Sequence, residues 1–379
     1  MVESPFESIA GRFPVSTRSN LLSVLTLFSF AMLAGCNYKG EDAVPEKDFA
    51  VSSTVKAAIG ASGSTFVNPL MQRWIADFHA THPATQVNYR AIGSGAGLAE
   101  LRQNTTEMAA SDAPLTDEQL KEMPAVVQIP VAAGPVVAVY NLPTLKAPLR
   151  LSATTLAGIF LGNIISWQDA AVQRDNPGVQ LPHAAIIVVH RSDGSGTTSI
   201  LTSYLAKVSP EWLQKIGHGL AVTWPVGIGA KGSGEVLDFV AANVGTIGYA
   251  ELNYASEKKL PVASIQNRAG SFVAPSSRSA TATIEAFDDL LSKDVRTSVV
   301  DPPATAKEAY PIVGITFLVF AKTGSGAEQQ AIREFVQYVI QDGQEMAQSL
   351  QYAKLPKLIQ DRAVATVNGM PAPQPAKAS

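Results

Sequence analysis

The chain has 379 residues, of which 46% are hydrophobic and 16% charged, with a formal net charge of -3. This composition excludes a disordered chain and a polytopic membrane protein, and the length exceeds the ~250–300 residues at which one core stops growing, so two domains are expected. A net charge this small excludes global attraction for nucleic acid, so any anion must be met locally by placed donors.

Residues 1–35 have the form of a leader: Arg12 and Arg18 precede an apolar stretch over 21–33, too short to span a bilayer permanently. The stretch ends in Leu33-Ala34-Gly35-Cys36, which resembles the bacterial lipobox, whose cysteine is lipidated and becomes the mature N-terminus. Cys36 is the only cysteine and has no internal disulfide partner. Its place after small residues predicts acylation; a free thiol behind an ordinary secretory leader is the alternative. Residues 36–53 are polar and read as a tether from membrane to domain.

From residue 54 onward, short apolar runs alternate with amphipathic stretches. A strand over 55–59 precedes a helix reaching Phe78; a strand over 87–92 precedes a helix through Leu101; a strand over 186–189 precedes a helix through Val208. That alternation predicts an α/β fold. Further strands are expected at 126–129, 136–140, 246–249 and 315–320, with closing helices over 328–341 and 343–351. Residues 363–379 end in a Pro- and Ala-rich stretch and are expected to be a disordered tail.

One pattern occurs three times: an apolar run enters a Gly/Ser/Thr turn and leaves as an amphipathic helix. The turns are GASGSTF at 60–66, GSGAG at 93–97 and RSDGSGT at 191–197. A helix N-terminus leaves backbone N–H groups unpaired and carries partial positive charge, which suits an anion. Glycine allows close approach, and hydroxyls add donors that also cap helices. One such turn is ordinary capping chemistry; three, one carrying Arg191, point to a shared ligand. The Arg191 guanidinium follows a strand and can hold two oxygens of a phosphate at once, unless it forms only a surface ion pair. Asp193 is placed to orient it. Asp112, in a stretch of small uncharged residues, is either a helix N-cap or an acceptor for an oxyanion that carries its own proton, as phosphate does and sulfate does not.

Together these residues resemble the phosphate-binding subunit of the bacterial phosphate-specific ABC importer, over residues 57–356. The likeness also takes in ASDAPL at 110–115, FLGNIISW at 160–167, TSYLAKV at 202–208, WPVGIGAKG at 224–232, IGYAE at 247–251 and LQYAKLP at 350–356. The resemblance implies a two-lobed α/β periplasmic binding protein of type II, with lobe I at 54–140 and 311–362, lobe II at 141–310, and crossovers near 139–142 and 310–312. It implies phosphate ligands at Thr65, Phe66 through its N–H, Ser94, Asp112, Arg191, Ser195, Gly196 through its backbone, and Thr197, with Asp193 holding Arg191. It further implies ABC permease subunits as partners, a monomer, no cofactor and no catalysis. Ser62, Ser64 and Gly95 depart from the family pattern, which usually has alanine at the first two positions and commonly serine at the third.

Rival readings are weaker. Gly227, Gly229 and Gly232 match GxGxxG with Glu251 some way on, but Pro225 sits in the run before them, so a structural turn is expected rather than a nucleotide site. There is no GxSxG elbow for a serine hydrolase, and no clustered His, Asp and Glu for a metal phosphatase. A binder of another tetrahedral oxyanion, arsenate or sulfate, remains the alternative, with a phosphatase using the same loops behind it.

Overall fold

The structure is a computed structural model that describes residues 56–324 and 326–373. The leader, Cys36 and the tether lie outside these residues. Among the described residues no helix is long and apolar enough to cross a membrane.

Among the described residues eleven strands form in chain order: β1 (Ala57–Gly63), β2 (Thr85–Ala91), β3 (Met108–Ser111), β4 (Val126–Tyr140), β5 (Arg150–Leu151), β6 (Ile187–Arg191), β7 (Ile228–Ala230), β8 (Thr246–Glu251), β9 (Ser264–Gln266), β10 (Phe272–Val273) and β11 (Val313–Ala321). Eight of them make one mixed sheet, in the order β2-β1-β3-β11-β4-β8-β6-β7, and β10-β9-β5 make a smaller one. The parallel pairs of the larger sheet, β1–β2, β1–β3, β6–β7 and β6–β8, are connected through helices, as parallel pairing requires.

β4 organises the molecule. The two strands expected at 126–129 and 136–140 are one 15-residue strand, buried over most of its length. Its first part pairs with β11 from Val126↔Ala321 to Pro135↔Val313; its second pairs with β8 from Val136↔Glu251 to Tyr140↔Ile247. Two prolines, which cannot donate to a ladder, lie within β4 without ending it. Pro130 lies beside a register shift at Thr316/Phe317, and Pro135 stands at the last pair before the partner changes.

The helices that bear on the site are seated by apolar faces. Asn68–Thr81 buries Leu70, Met71, Trp74 and Phe78, and Trp74 Nε1 donates to the Gly343 carbonyl at 2.8 Å. Gly196–Val208 buries Ile200, Leu201, Tyr204 and Leu205. Gly232–Ala242 packs Val236, Leu237 and Val240 against Val137, Val139 and Val189. Each such large apolar side chain contributes about 1.5–3 kcal/mol when withdrawn from water, so the helix starts are fixed by their own later turns.

Two expectations at the C-terminal end need correction. The helix expected over 343–351 is a short helix, Gln344–Ala347, followed by a 3-10 turn, Gln348–Leu350. The tail expected from 363 is ordered well beyond that point: Lys357–Asn368 is a helix whose Ile359, Ala363 and Val367 are buried. Arg333 fastens the segment after it by donating to the Met370 and Pro371 carbonyls. Residues 374–379 lie outside the described residues.

Candidate functional site

The first loop leaves β1 at Gly63, whose φ of +135° and close approach to the Ala110 carbonyl both require glycine. The next three carbonyls are each held by a tyrosine. Tyr89 Oη donates to Ser64 O at 2.6 Å, Tyr254 Oη to Thr65 O at 3.1 Å, and Tyr352 Oη to Phe66 O at 2.5 Å. Burial pushes all three phenols up, Tyr254 to about 12, so they remain donors. With its carbonyls tied down, the loop is left to present its N–H groups, and that of Phe66 has no acceptor among the described residues.

The second loop turns at Gly93, φ +94°, into the helix Ser94–Arg102. The Gly95 N–H donates to the Gly194 carbonyl at 2.9 Å, so the second and third loops touch directly. A Cβ at Gly95 would stand 3.2 Å from Gly194 Cα, a tight contact that glycine avoids at a position where the family commonly has serine.

The third loop follows β6. Arg191, 3% exposed, donates from Nε to Asp193 Oδ1 at 2.7 Å and from Nη2 to Oδ2 at 2.5 Å. Asp193 therefore holds Arg191, with a geometric consequence: the Nε–Nη2 edge, the usual two-oxygen fork, is taken by Asp193. Only the Nη1–Nη2 end faces onward, and Nη1 already donates to Thr65 Oγ1 at 3.1 Å and Ser233 Oγ at 3.2 Å. Burial lowers the Arg191 pKa, but the bond and charge of Asp193, with the charge of Glu251, outweigh it and raise it. Burial likewise pushes Asp193 up, and Arg191 outweighs it and holds the carboxyl below its ordinary range. Ser195 caps the helix Gly196–Val208 by accepting from Thr198 N at 3.1 Å. The Gly196 and Thr197 N–H groups, in the first turn, have no intrahelical partner.

Asp112, 4% exposed, sits where these loops meet. It accepts from Ser64 Oγ at 2.8 and 2.6 Å, from Thr316 Oγ1 at 2.7 Å and from Ser94 Oγ at 3.3 Å. Burial pushes its carboxyl up to about 6, with the charge of Glu251 adding to the rise and the three hydroxyls opposing it. It is not a helix cap: Thr116 caps Asp117–Glu122 in a capping box with Gln119. A cavity of about 590 Å³ opens beside Asp112, walled by Ile200, Leu220, Val313 and Phe317.

Thr65, Phe66, Ser94, Asp112, Arg191, Asp193, Ser195, Gly196 and Thr197 thus converge on one place. Of the departures, Ser64 belongs to it, through Asp112, while Ser62 donates to Glu100 outside it. Among the described residues no group of His, Cys, Asp or Glu could hold a metal ion.

Comparison with known proteins bears on this assembly. Residues 50–343 match a family model described as a PBP superfamily domain. The chain is 39% identical over 324 residues to the phosphate-binding protein PstS of Xylella fastidiosa, covering 85% of this chain and 87% of that protein. It is 34% identical over 353 residues to that of Methanocaldococcus jannaschii, covering 86% and 88%. The chain belongs to the PstS family. A solved phosphate-binding protein from Stenotrophomonas maltophilia superposes with a TM-score of 0.62 at 20% identity, over 82% of this chain and 94% of that one. The two-lobed α/β fold of periplasmic binding proteins expected from the sequence is the fold of this PstS-family chain.

Sequence reasoning passed over a fourth loop. Lys231-Gly232-Ser233 follows β7 and opens the helix Gly232–Ala242, repeating the strand, glycine, serine, helix pattern at a place read as a mere turn. Its Gly232 N–H donates to Asp193 Oδ1 at 3.0 Å, and Ser233 Oγ bonds Thr65, Arg191 and Glu251. Glu251, at the end of β8, also accepts from Thr197 Oγ1 at 2.7 Å. In this PstS-family site, then, the Thr197 hydroxyl proton is directed to a carboxylate, and what the residue leaves free is its backbone N–H.

Proposed function

We propose that this chain binds inorganic phosphate outside the cytoplasm and delivers it to the permease subunits of an ABC importer, as a monomeric, lipid-anchored binding subunit without cofactor or catalysis. The observation that carries the reading is the buried carboxylate of Asp112 standing among backbone N–H donors and a guanidinium. Donors call for an anion, and an acceptor among them calls for an anion that still carries a proton. Phosphate and arsenate meet both conditions; sulfate meets only the first. The PstS relatives, named as phosphate-binding proteins, support the same ligand.

In this reading the N–H groups of Phe66, Gly196 and Thr197 take phosphate oxygens, together with the Ser195 hydroxyl and the end of the Arg191 guanidinium. Thr65 and Ser94 border the ligand, and Asp112 accepts its proton. The lobes are 54–140 with 311–362, and 141–310, with crossovers near 139–142 and 310–312, the first a few residues beyond the point where β4 changes partner between Pro135 and Val136. Bonds that join the two proposed lobes, Gly95 N to Gly194 O, Arg191 to Thr65, and Arg296 Nη1 to Asp117 Oδ1 at 2.6 Å, support closure around the ligand.

Calorimetric titration of phosphate beside incubation with p-nitrophenyl phosphate tests the reading: saturable binding without hydrolysis is expected, and hydrolysis without stable binding would contradict it. For the anchor, Cys36→Ser is expected to release the protein from membranes with phosphate binding intact. A serine variant that still fractionates with membrane would refute lipidation at that residue.

A further inference from the structure

The three tyrosines that hold the first loop are not equivalent. Tyr89 and Tyr352 lie in 54–140 and 311–362, the same proposed lobe as the loop, whereas Tyr254 comes from 141–310. Its place follows from the sheet: β8 ends at Glu251 opposite Val136, and Tyr254 stands in the first turn of the helix Leu252–Glu257 that follows at once. The Tyr254 ring packs against the cluster that contains Val137 and Val236. Thr65 is therefore held from the far lobe at two points, its carbonyl by Tyr254 Oη at 3.1 Å and its hydroxyl by Arg191 Nη1 at 3.1 Å.

Which carbonyl each phenol takes decides what it can do. A trans peptide is planar, with its C=O and N–H pointing in opposite directions, so fixing one end of the unit fixes the other. Tyr89 fixes the unit that carries the Thr65 N–H, and Tyr352 the unit that carries the Val67 N–H. Tyr254 fixes the Thr65–Phe66 unit, which carries the Phe66 N–H, a phosphate donor in the reading above and a group without an acceptor among the described residues. A phenol donating to the carbonyl also polarises the unit and strengthens its N–H as a donor. The fold itself has little need of this bond. The Thr65 carbonyl also accepts from the Asn68 N–H at 3.3 Å, so it is not left unpaired when the phenol is removed.

We propose that Tyr254 is a positioning residue for phosphate: from the opposite lobe it turns the Thr65–Phe66 peptide so that the Phe66 N–H faces the ligand. The aim of that donor is thereby tied to the meeting of the two lobes. The proposal rests on the phosphate reading above and deepens it.

Tyr254→Phe removes the hydroxyl and keeps the ring. Tyr352→Phe does the same at the neighbouring unit, whose Phe66 carbonyl has no second donor among the described residues, and serves as the comparison. Phosphate dissociation constants are measured by calorimetry for the wild type and both variants, and the Phe66 amide proton is followed by NMR in the phosphate-saturated proteins. Tyr254→Phe is expected to weaken phosphate binding about three- to tenfold, the effect of about one hydrogen bond, and to move the Phe66 amide proton upfield. Its ligand-free urea midpoint should stay near that of the wild type, while Tyr352→Phe lowers the midpoint and moves the Phe66 proton less. Native affinity in Tyr254→Phe, a Phe66 shift no larger than in Tyr352→Phe, or a urea midpoint lowered as far would overturn this role, and with phosphate still bound by the wild type the phosphate reading would stand. Absence of phosphate binding by the wild type would overturn both.

Discussion

Gly196 lies against Asp112: a Cβ built on the glycine would stand 2.3 Å from Asp112 Oδ2 and 2.6 Å from Ser94 Oγ. The first turn of the helix Gly196–Val208 and the buried carboxylate therefore share one small volume, and only the absence of a side chain permits it. Gly196→Ala is expected to push the third loop from Asp112 and weaken phosphate binding about tenfold to a hundredfold, the range of a 1–3 kcal/mol overpacking cost. Calorimetry measures the affinity, and a denaturant melt shows whether the fold survives. An alanine variant with native affinity would mean that the loops do not close on Asp112 when ligand binds.

Arg191→Ala removes a buried cation and leaves Asp193 with a lone Gly232 N–H. Phosphate affinity is expected to fall by about 2–5 kcal/mol, roughly thirtyfold to several-thousandfold. Arg191→Lys should recover only part, because an ammonium cannot bond both Asp193 oxygens and still reach Thr65 and Ser233. A lysine variant equal to wild type would show that Arg191 acts as a point charge, and the held guanidinium would have no role.

The raised carboxyl of Asp112 makes ligand-free stability depend on pH with a definite sign. Its value of about 6, against an ordinary 3.8, means that the folded state binds more protons than the unfolded one between those limits. Stability from this group is then present below about pH 4 and is lost as pH rises through about 6, by roughly 2–3 kcal/mol. Asp112→Asn does not titrate, so it should gain on the wild type between pH 4 and pH 6, less whatever its amide loses among three hydroxyl donors. Urea melts of both proteins at intervals across that range test this; curves that stay parallel would show the carboxyl to be unshifted.

Much of the site was legible because its parts are local. A strand, a glycine, a hydroxyl residue and an amphipathic helix follow one another within a few residues, so the turns at 60–66, 93–97 and 191–197 could be read from spacing alone. The partners that fix them come from far along the chain. Thr316 meets Asp112 across 204 positions because β11 pairs with β3 at Phe317↔Ser111. Tyr352 reaches Phe66 across 286. No local pattern encodes such contacts. Ser233 and Glu251 were visible as residues but not as neighbours, since their meeting depends on β7, β6 and β8 lying side by side. The strand β4 read as two because its change of partner from β11 to β8 between Pro135 and Val136 is a long-range fact, and the helix Lys357–Asn368 was obscured by the Pro-rich stretch that follows it.

The account turns on Asp112 accepting a proton from its ligand, and the ratio of sulfate to phosphate dissociation constants tests this most directly. A buried carboxylate facing an unprotonated oxygen costs roughly 2–5 kcal/mol, so the wild type should bind phosphate at least about thirtyfold more tightly than sulfate. Asp112→Asn removes the charge and supplies an N–H, which should lower that ratio several-fold or more while phosphate still binds. A wild type that binds the two anions equally, or a ratio that Asp112→Asn leaves unmoved, would contradict it.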